Sequence, residues 1–175
     1  MAVPLVAPAT AARLPTLAQI ASLSMLPGGT GYLSLGTENQ GQLFATRDGG
    51  QSFFPVGAPE PDTPLIRFAS ETAGWRLART RLWATGDGGR TWALIGPDRP
   101  INGFGLLPSG FGWLFADGLL QTTDDGGKTW ATIFTMKEFS AVVVFADPVH
   151  GWMKDYWGPL YQTSDGGYRW MRLDR

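Results

Sequence analysis

One eight-residue phrase occurs four times in this 175-residue chain, and it constrains the fold more than any other feature. It reads TRDGGQSF at 46–53, TGDGGRTW at 85–92, TDDGGKTW at 123–130 and TSDGGYRW at 163–170. The central aspartates are Asp48, Asp87, Asp125 and Asp165, at spacings of 39, 38 and 40 residues. A period near forty residues predicts that each copy is one small unit of a repeat architecture.

Other columns of residues keep the same period. A glycine precedes an aromatic in Gly31-Tyr32, Gly74-Trp75, Gly112-Trp113 and Gly151-Trp152. Eight positions before these glycines stand Leu23, Ile66, Phe104 and Val143, and six positions before stand Met25, Phe68, Leu106 and Phe145. Apolar residues two apart lie on one face of a strand. Several short strands per unit predict an all-β fold, a β-propeller of four four-stranded antiparallel blades.

The repeats divide the chain into two expected parts. We expect an extended N-terminal arm at 1–17 and a propeller domain at 18–175, with blades at about 18–57, 64–95, 101–134 and 140–173. A blade at the end of an open arc leaves one apolar face in water, and such faces drive association. Three arrangements stay open: a small closed ring of four blades, half of a larger multi-chain ring that a homo-oligomer completes, or one segment of a larger assembly whose partners cover the open faces.

The residue types of the repeated phrase are explained by a turn between the third and fourth strands of each blade. The carboxylates of the four central aspartates can accept hydrogen bonds from backbone N–H groups just downstream. The two glycines allow the positive φ that a tight connection needs. We expect the aromatics Trp92, Trp130 and Trp170, with Phe53 in the first blade, to begin the outer strands. The phrase therefore predicts structural residues, with no catalytic or metal-binding role.

The phrase resembles the Asp-box, or BNR repeat, S/T-x-D-x-G-x-T-W, across essentially residues 18–175. With the preceding GW and L-x-x-T, as in GWLFADGLLQTTDDGGKTW at 112–130, it looks most like the photosystem II assembly and stability factor type of Asp-box propeller. That resemblance implies peripheral structural turns, remote from the binding face, and an extracytoplasmic (periplasmic, lumenal or secreted) location. The chain departs from the pattern at Ser52-Phe53 and at Arg169, and related propellers have six to eight blades.

Composition argues against several kinds of chemistry. The chain has no cysteine and one histidine, so we expect no metal site and no cofactor. A formal net charge of −1 gives no global attraction to nucleic acid. No apolar run is long enough to span a bilayer, so we expect no direct membrane insertion.

The competing interpretation is an enzyme, because sialidases and some other glycosidases also carry Asp-boxes. Glycosidases need two carboxylates that flank the scissile bond. Glutamate is scarce here, and LIRFAS at 65–70 matches the sialidase Phe-Arg-Ile-Pro signature only weakly. We therefore expect a protein that is not an enzyme, and keep a carbohydrate-binding or sialidase-like glycosidase module as the alternative.

Binding residues are expected on the propeller face that collects the loops between second and third strands and between blades. Blade 2 concentrates arginines, which suit carboxylate recognition, and blade 4 has a mixture typical of interface anchors. The candidate partner-binding residues are Arg67, Arg76, Arg79, Arg81, Lys154, Tyr156 and Trp157. The resemblance also implies an arginine-bearing patch. The sequence thus predicts a protein-binding scaffold or assembly and stability factor, whose partner is a protein or a larger protein complex.

Overall fold

The computed structural model of the protein describes residues 19–36, 40–136, 141–155 and 158–173. Within these ranges the chain forms strands and one short 3-10 turn, Pro27–Gly29. Blade 1 contains β1 (Gln19–Met25), β2 (Gly31–Gly36), β3 (Gly41–Thr46) and β4 (Phe54–Glu60), and blade 2 contains β5 (Leu65–Phe68), β6 (Gly74–Ala78), β7 (Arg81–Thr85) and β8 (Ala93–Ile95). Blade 3 contains β9 (Gly103–Leu106), β10 (Gly112–Ala116), β11 (Leu119–Thr123) and β12 (Ala131–Thr135), and blade 4 contains β13 (Ala141–Phe145), β14 (Gly151–Asp155), β15 (Leu160–Thr163) and β16 (Met171–Arg172).

Each blade is a four-stranded antiparallel sheet whose strands follow one another in chain order. This arrangement confirms the predicted all-β fold of four propeller blades. It follows from the short spacing of the strands, because connections of a few residues favour antiparallel pairing of neighbours. No helix in the described part of the chain is long and apolar enough to cross a membrane.

The core lies between the blades, where blades 1, 2 and 3 each pack the aromatic of their second strand against the next blade. Tyr32 of blade 1 stacks on Phe68 of blade 2 with ring centres 3.6 Å apart. Trp75 of blade 2 lies 5.5 Å from Trp130 of blade 3. Trp113 of blade 3 lies 5.3 Å from Phe145 of blade 4. The aromatic column of the sequence is therefore the principal contact between consecutive blades.

The four blades form an open arc. The inner strands β1 and β5, β5 and β9, and β9 and β13 contact one another in turn. Within the described residues, β13 and β1 do not reach this degree of contact, and blades 4 and 1 share no buried cluster. Leu23 on β1 and Val142 on β13 are accordingly exposed.

The outer strands begin one residue later than predicted from the aromatic residues that end the repeated phrase. Trp92 and Trp130 each lie one residue before the outer strand of their blade, and Phe53 likewise precedes β4. In blades 3 and 4 the indole N–H donates a hydrogen bond to the second glycine of the turn, from Trp130 to Gly127 O at 3.1 Å and from Trp170 to Gly167 O at 2.9 Å. Trp130 and Trp170 therefore belong to the turn, and the outer strand begins after each of them.

Candidate functional site

The four T-x-D-G-G turns share one set of hydrogen bonds. In every turn the threonine hydroxyl donates to the aspartate Oδ1 at 2.7–2.9 Å. The same hydroxyl oxygen accepts a bond from the N–H of the second glycine at 2.9–3.0 Å. Both glycines have positive φ in all four turns, a conformation that a β-carbon disfavours. The threonine thus closes the start of the turn, and its burial fixes the turn to the sheet.

The aspartate closes the other half of each turn. Asp87 accepts bonds from the Thr91 N–H at 2.9 Å and the Thr91 hydroxyl at 2.6 Å. These bonds favour the ionised form, so the Thr91 hydroxyl first and its N–H second lower the pKa of Asp87 to about 2. The pKa of Asp48 is lowered to about 2, chiefly by the Ser52 hydroxyl. That of Asp125 is also lowered, chiefly by the Thr129 N–H.

Blade 4 carries the simplest version of the turn. Arg169 stands where the other turns have serine or threonine, so Asp165 accepts its N–H at 2.9 Å and gains no hydroxyl from that position. The Arg169 N–H lowers the pKa of Asp165. All four aspartates therefore bind within their own turns. Among the described residues no group of three or more His, Cys, Asp or Glu could hold a metal ion.

Arg76 of the predicted arginine group lies inside a cleft between blades 1 and 2. Its side chain is buried, and Nη1 pairs with Glu60 Oε1 at the end of β4. The guanidinium also lies over two rings, 4.7 Å from the centre of Trp92 and 5.4 Å from that of Trp83. Its Nε is buried without a hydrogen-bond partner. Such a group fixes Arg76 by packing and charge together.

The cleft around Arg76 has a volume of about 260 Å³. Gln42, Glu60, Arg90 and Trp92 are among the side chains that line it. Arg76 and Arg90 together outweigh the one carboxylate of Glu60, so the lining has an excess of positive charge. A cleft of this size has room for one or two side chains of a bound peptide or for a small polar ligand.

Arg79 and Arg81 lie at the hairpin between β6 and β7, on the face where loops between blades also meet. Arg79 Nε lies 3.8 Å from Asp62 Oδ2, and its side chain is 71% exposed. Arg81 Nη1 pairs with Asp98 Oδ1. Both acids belong to connections between blades, one before blade 2 and one after it. Exposed pairs of this kind contribute little to stability, so either arginine can exchange its carboxylate for that of a ligand.

The backbone of this hairpin is strained. Its two loop residues, Arg79 and Thr80, have φ of 47° and 67°. The corresponding hairpin of blade 3 uses Asp117 and Gly118, with φ of 50° and 74°. Aspartate and glycine tolerate this region, whereas a β-branched threonine in it is an outlier that costs about 1–3 kcal/mol. The hairpin of blade 2 therefore presents Arg79 on a backbone conformation that is unfavourable for its two loop residues.

Arg67 lies apart from the other arginines. It is on β5, where Nη1 donates to Ile66 O at 2.8 Å and to Ser22 Oγ at 3.4 Å. With Asn102 and the inner strands β9 and β13 it borders a cavity of about 370 Å³. The structure thus separates the predicted group: Arg79 and Arg81 share a hairpin, Arg76 lies in the cleft, and Arg67 borders the cavity beside the inner strands.

The blade 4 candidates are only partly described. Lys154 is exposed on β14, and its Nζ donates to Gly158 O. Tyr156 and Trp157 lie outside the described residues. Sequence reasoning missed the acids Glu60, Asp62 and Asp98, which pair with three of the arginines. The acids of PEPDT (59–63) and GPDRP (96–100), on either side of the arginine-rich blade, were the available signal.

Comparison with known proteins shows the fold. No family model matches the chain, and no curated protein matches it. The solved structure of YCF48 from Cyanidioschyzon merolae is similar with a TM-score of 0.69 and 16% identity, over 93% of this chain and 58% of that one. An ancestral GH74 enzyme, AFV00434, is similar with a TM-score of 0.67 and 15% identity, over 90% of this chain and 24% of that one.

A computationally designed protein, Ika4, is also similar, with a TM-score of 0.62 and 11% identity, and the match covers 87% of this chain and 94% of that one. The chain therefore spans little more than half of the YCF48 structure and about a quarter of the GH74 enzyme, but nearly all of the designed protein. Identities this low carry no information about ligands. Together with the four sheets, these likenesses identify the chain as a β-propeller.

Proposed function

We propose that the chain is a non-catalytic protein-binding scaffold, of the assembly or stability factor kind, which presents the Arg79–Arg81 hairpin to a protein partner. The observation that carries the proposal is the strained hairpin with a largely exposed arginine at its tip. Strained backbone persists only where the surrounding structure holds it, and it clusters at binding and active sites. A guanidinium at such a site suits a carboxylate of the partner.

Two further features support a protein partner. The Arg76 cleft lies between blade 1 and this same blade 2, and it adds an aromatic surface, Trp92, beside a buried guanidinium. Arginine and tryptophan are the residue types that most often dominate binding energy in protein interfaces. The resemblance of the repeats to Asp-box propellers of the photosystem II assembly factor type supports the same class of function. In this proposal the form that binds is a homo-oligomer that completes the ring.

The test is affinity capture of partners from the native source with the full chain and with charge-reversal variants. We expect the double variant Arg79→Glu, Arg81→Glu to lose a partner that the parent chain retains. Lys128→Glu is the matched control, because Lys128 is an exposed cation on the opposite, T-x-D-G-G side of blade 3. Equal capture by the folded double variant would reject the hairpin as the binding site. Binding on a glycan array, with no protein recovered, would favour the carbohydrate-binding alternative instead.

A further inference from the structure

At the two ends of the arc, some residues that join blades elsewhere in the molecule are exposed: Trp152 on blade 4, and Leu23 on blade 1 beside the buried Leu33 and Phe44. Tyr32, Trp75 and Trp113 occupy one position of the repeat, and each is buried against the following blade. Trp152 occupies the same position in blade 4, and no described blade follows it. Trp75 is 2% exposed and Trp152 is 37% exposed. Blade 4 thus carries the same joining residue with its face turned to solvent.

At the other end of the arc, blade 1 exposes the inner-strand residue that in the other blades packs against the preceding blade. Ile66, Phe104 and Val143 occupy one inner-strand position, and each packs in the cluster that it shares with the preceding blade. Leu23 occupies that position in blade 1 and is 53% exposed, whereas Ile66 is 0% exposed. The polar side of β1 faces blade 2 instead, where the Ser22 and Ser24 hydroxyls accept bonds from the N–H groups of β5. The apolar side of β1 therefore points away from the arc.

Each end presents a defined apolar surface. The forward end face comprises the exposed residues Val142, Val144, Trp152, Leu160 and Met171, and the rear end face comprises Ile20, Leu23 and Met25. Strand register places Val144, Trp152, Gln162 and Met171 side by side across the forward end face. Lys154 lies on it too, toward the end of β14. Monomeric proteins rarely expose contiguous apolar patches of several hundred square ångströms.

We infer that the forward end face of one chain binds the rear end face of a second copy. The occupant follows from the repeat: a second-strand aromatic packs on the inner strand of a following blade, and β1 is such an inner strand with its apolar side uncovered. Because the contact joins two different surfaces, it must either close into a ring or propagate as a filament. A ring made from two of these arcs has eight blades.

The inference deepens the proposed function by naming how the oligomer forms, and it rests on that proposal only for the biological role. The residues involved are separate from the Arg79–Arg81 hairpin. A variant that dissociates the pair while partner capture is retained, or the reverse, therefore distinguishes the failure of one proposal from the failure of the other.

The test is the molar mass of the full chain by sedimentation velocity across a concentration series. We expect a mass of twice the 18.9 kDa chain. Trp152→Glu and Leu23→Glu should each raise the dissociation constant by about tenfold or more, because each places a charge in an apolar contact. Val144→Glu replaces Trp152→Glu if the latter unfolds by circular dichroism. Leu94→Glu is the matched control, since Leu94 is 50% exposed on blade 2 and lies on neither end face.

Mixing the variants tests the head-to-tail geometry. Trp152→Glu has an intact rear end face and Leu23→Glu an intact forward end face, so an equimolar mixture should recover pairs through one undamaged contact. A monomeric parent chain at all concentrations would overturn the inference. So would a pair that Trp152→Glu dissociates and Leu23→Glu does not, because that result means forward faces binding each other or another occupant. Equal dissociation by Leu94→Glu would also overturn it.

Discussion

Replacement of Gly112 by alanine should destabilise the protein by overpacking the contact between blades 2 and 3. A β-carbon at Gly112 would lie 2.1 Å from Cη2 and 2.5 Å from Cζ3 of Trp75. Carbon atoms pack at about 3.5–4.0 Å, so the indole would have to move by roughly 1.5 Å. Trp75 is fully buried against Trp130, which leaves the ring little freedom to move. Overpacking of this kind costs about 1–3 kcal/mol.

Thermal unfolding followed by circular dichroism, at one fixed protein concentration, measures this cost. At about 2–4 °C per kcal/mol for a chain of this size, Gly112→Ala should lower Tm by roughly 2–12 °C. Gly103→Ala is the matched control on the neighbouring strand, where nothing lies within 4 Å of an added β-carbon. Its effect should stay within about 0.5 kcal/mol.

A double-mutant cycle identifies the cause. Trp75→Phe removes the part of the indole that the new methyl group would meet, so it should cost less in the Gly112→Ala background than in the parent chain. Equal Tm values for Gly112→Ala and the parent, or strictly additive effects of the two changes, would show that the contact between Gly112 and Trp75 does not limit packing here.

Three other expectations concern pH, a hydrogen bond and a buried ion pair. The pKa of Asp87 is about 2 against its ordinary 3.8, so its contribution to stability is complete above about pH 4 and is lost as pH falls toward 2; Asp87→Asn should flatten the acid-unfolding curve in that window. Trp113→Phe removes the 3.0 Å bond from Nε1 to Val143 O and should lower Tm by about 2–4 °C, and an unchanged Tm would contradict this role. Arg76→Met leaves the Glu60 carboxylate without its cation, so urea unfolding should show lower stability, and Arg76→Met, Glu60→Gln should recover part of the loss.

The sequence predicts the blades because the relevant information is local and repeated. Ile66 and Phe68 stand two positions apart on one strand, so both lie on the same side of it. Apolar pairs with this spacing recur at the same distance before each Gly-aromatic pair. The threonine, aspartate and glycines of each turn bond to one another within five residues, so their pattern can be interpreted without the rest of the fold. Strand existence and order follow directly from such signals.

The residue at which each outer strand begins, and the exposure of the two end faces, could not be predicted from the sequence alone. Tryptophan is a residue type that favours strands. The indole N–H of Trp130 nevertheless donates a hydrogen bond to Gly127 O, which holds Trp130 in the turn. Trp152 and Trp75 are equivalent in sequence, and only the presence or absence of a following blade makes their burial different. The pairing of Arg81 with Asp98 likewise depends on which loops meet at one face.

The open arc has a consequence for how the molecule comes apart. In a linear array each repeat is stabilised by its neighbours alone, so stability declines toward the termini. In a dissociated chain, blade 4 has a single neighbouring interface, the shortest outer strand among the described residues, Met171–Arg172, and the turn in which Arg169 stands in place of a hydroxyl residue. Fraying should therefore start at β16 and move inward, while blades 2 and 3 persist as a residual nucleus from which the array regrows.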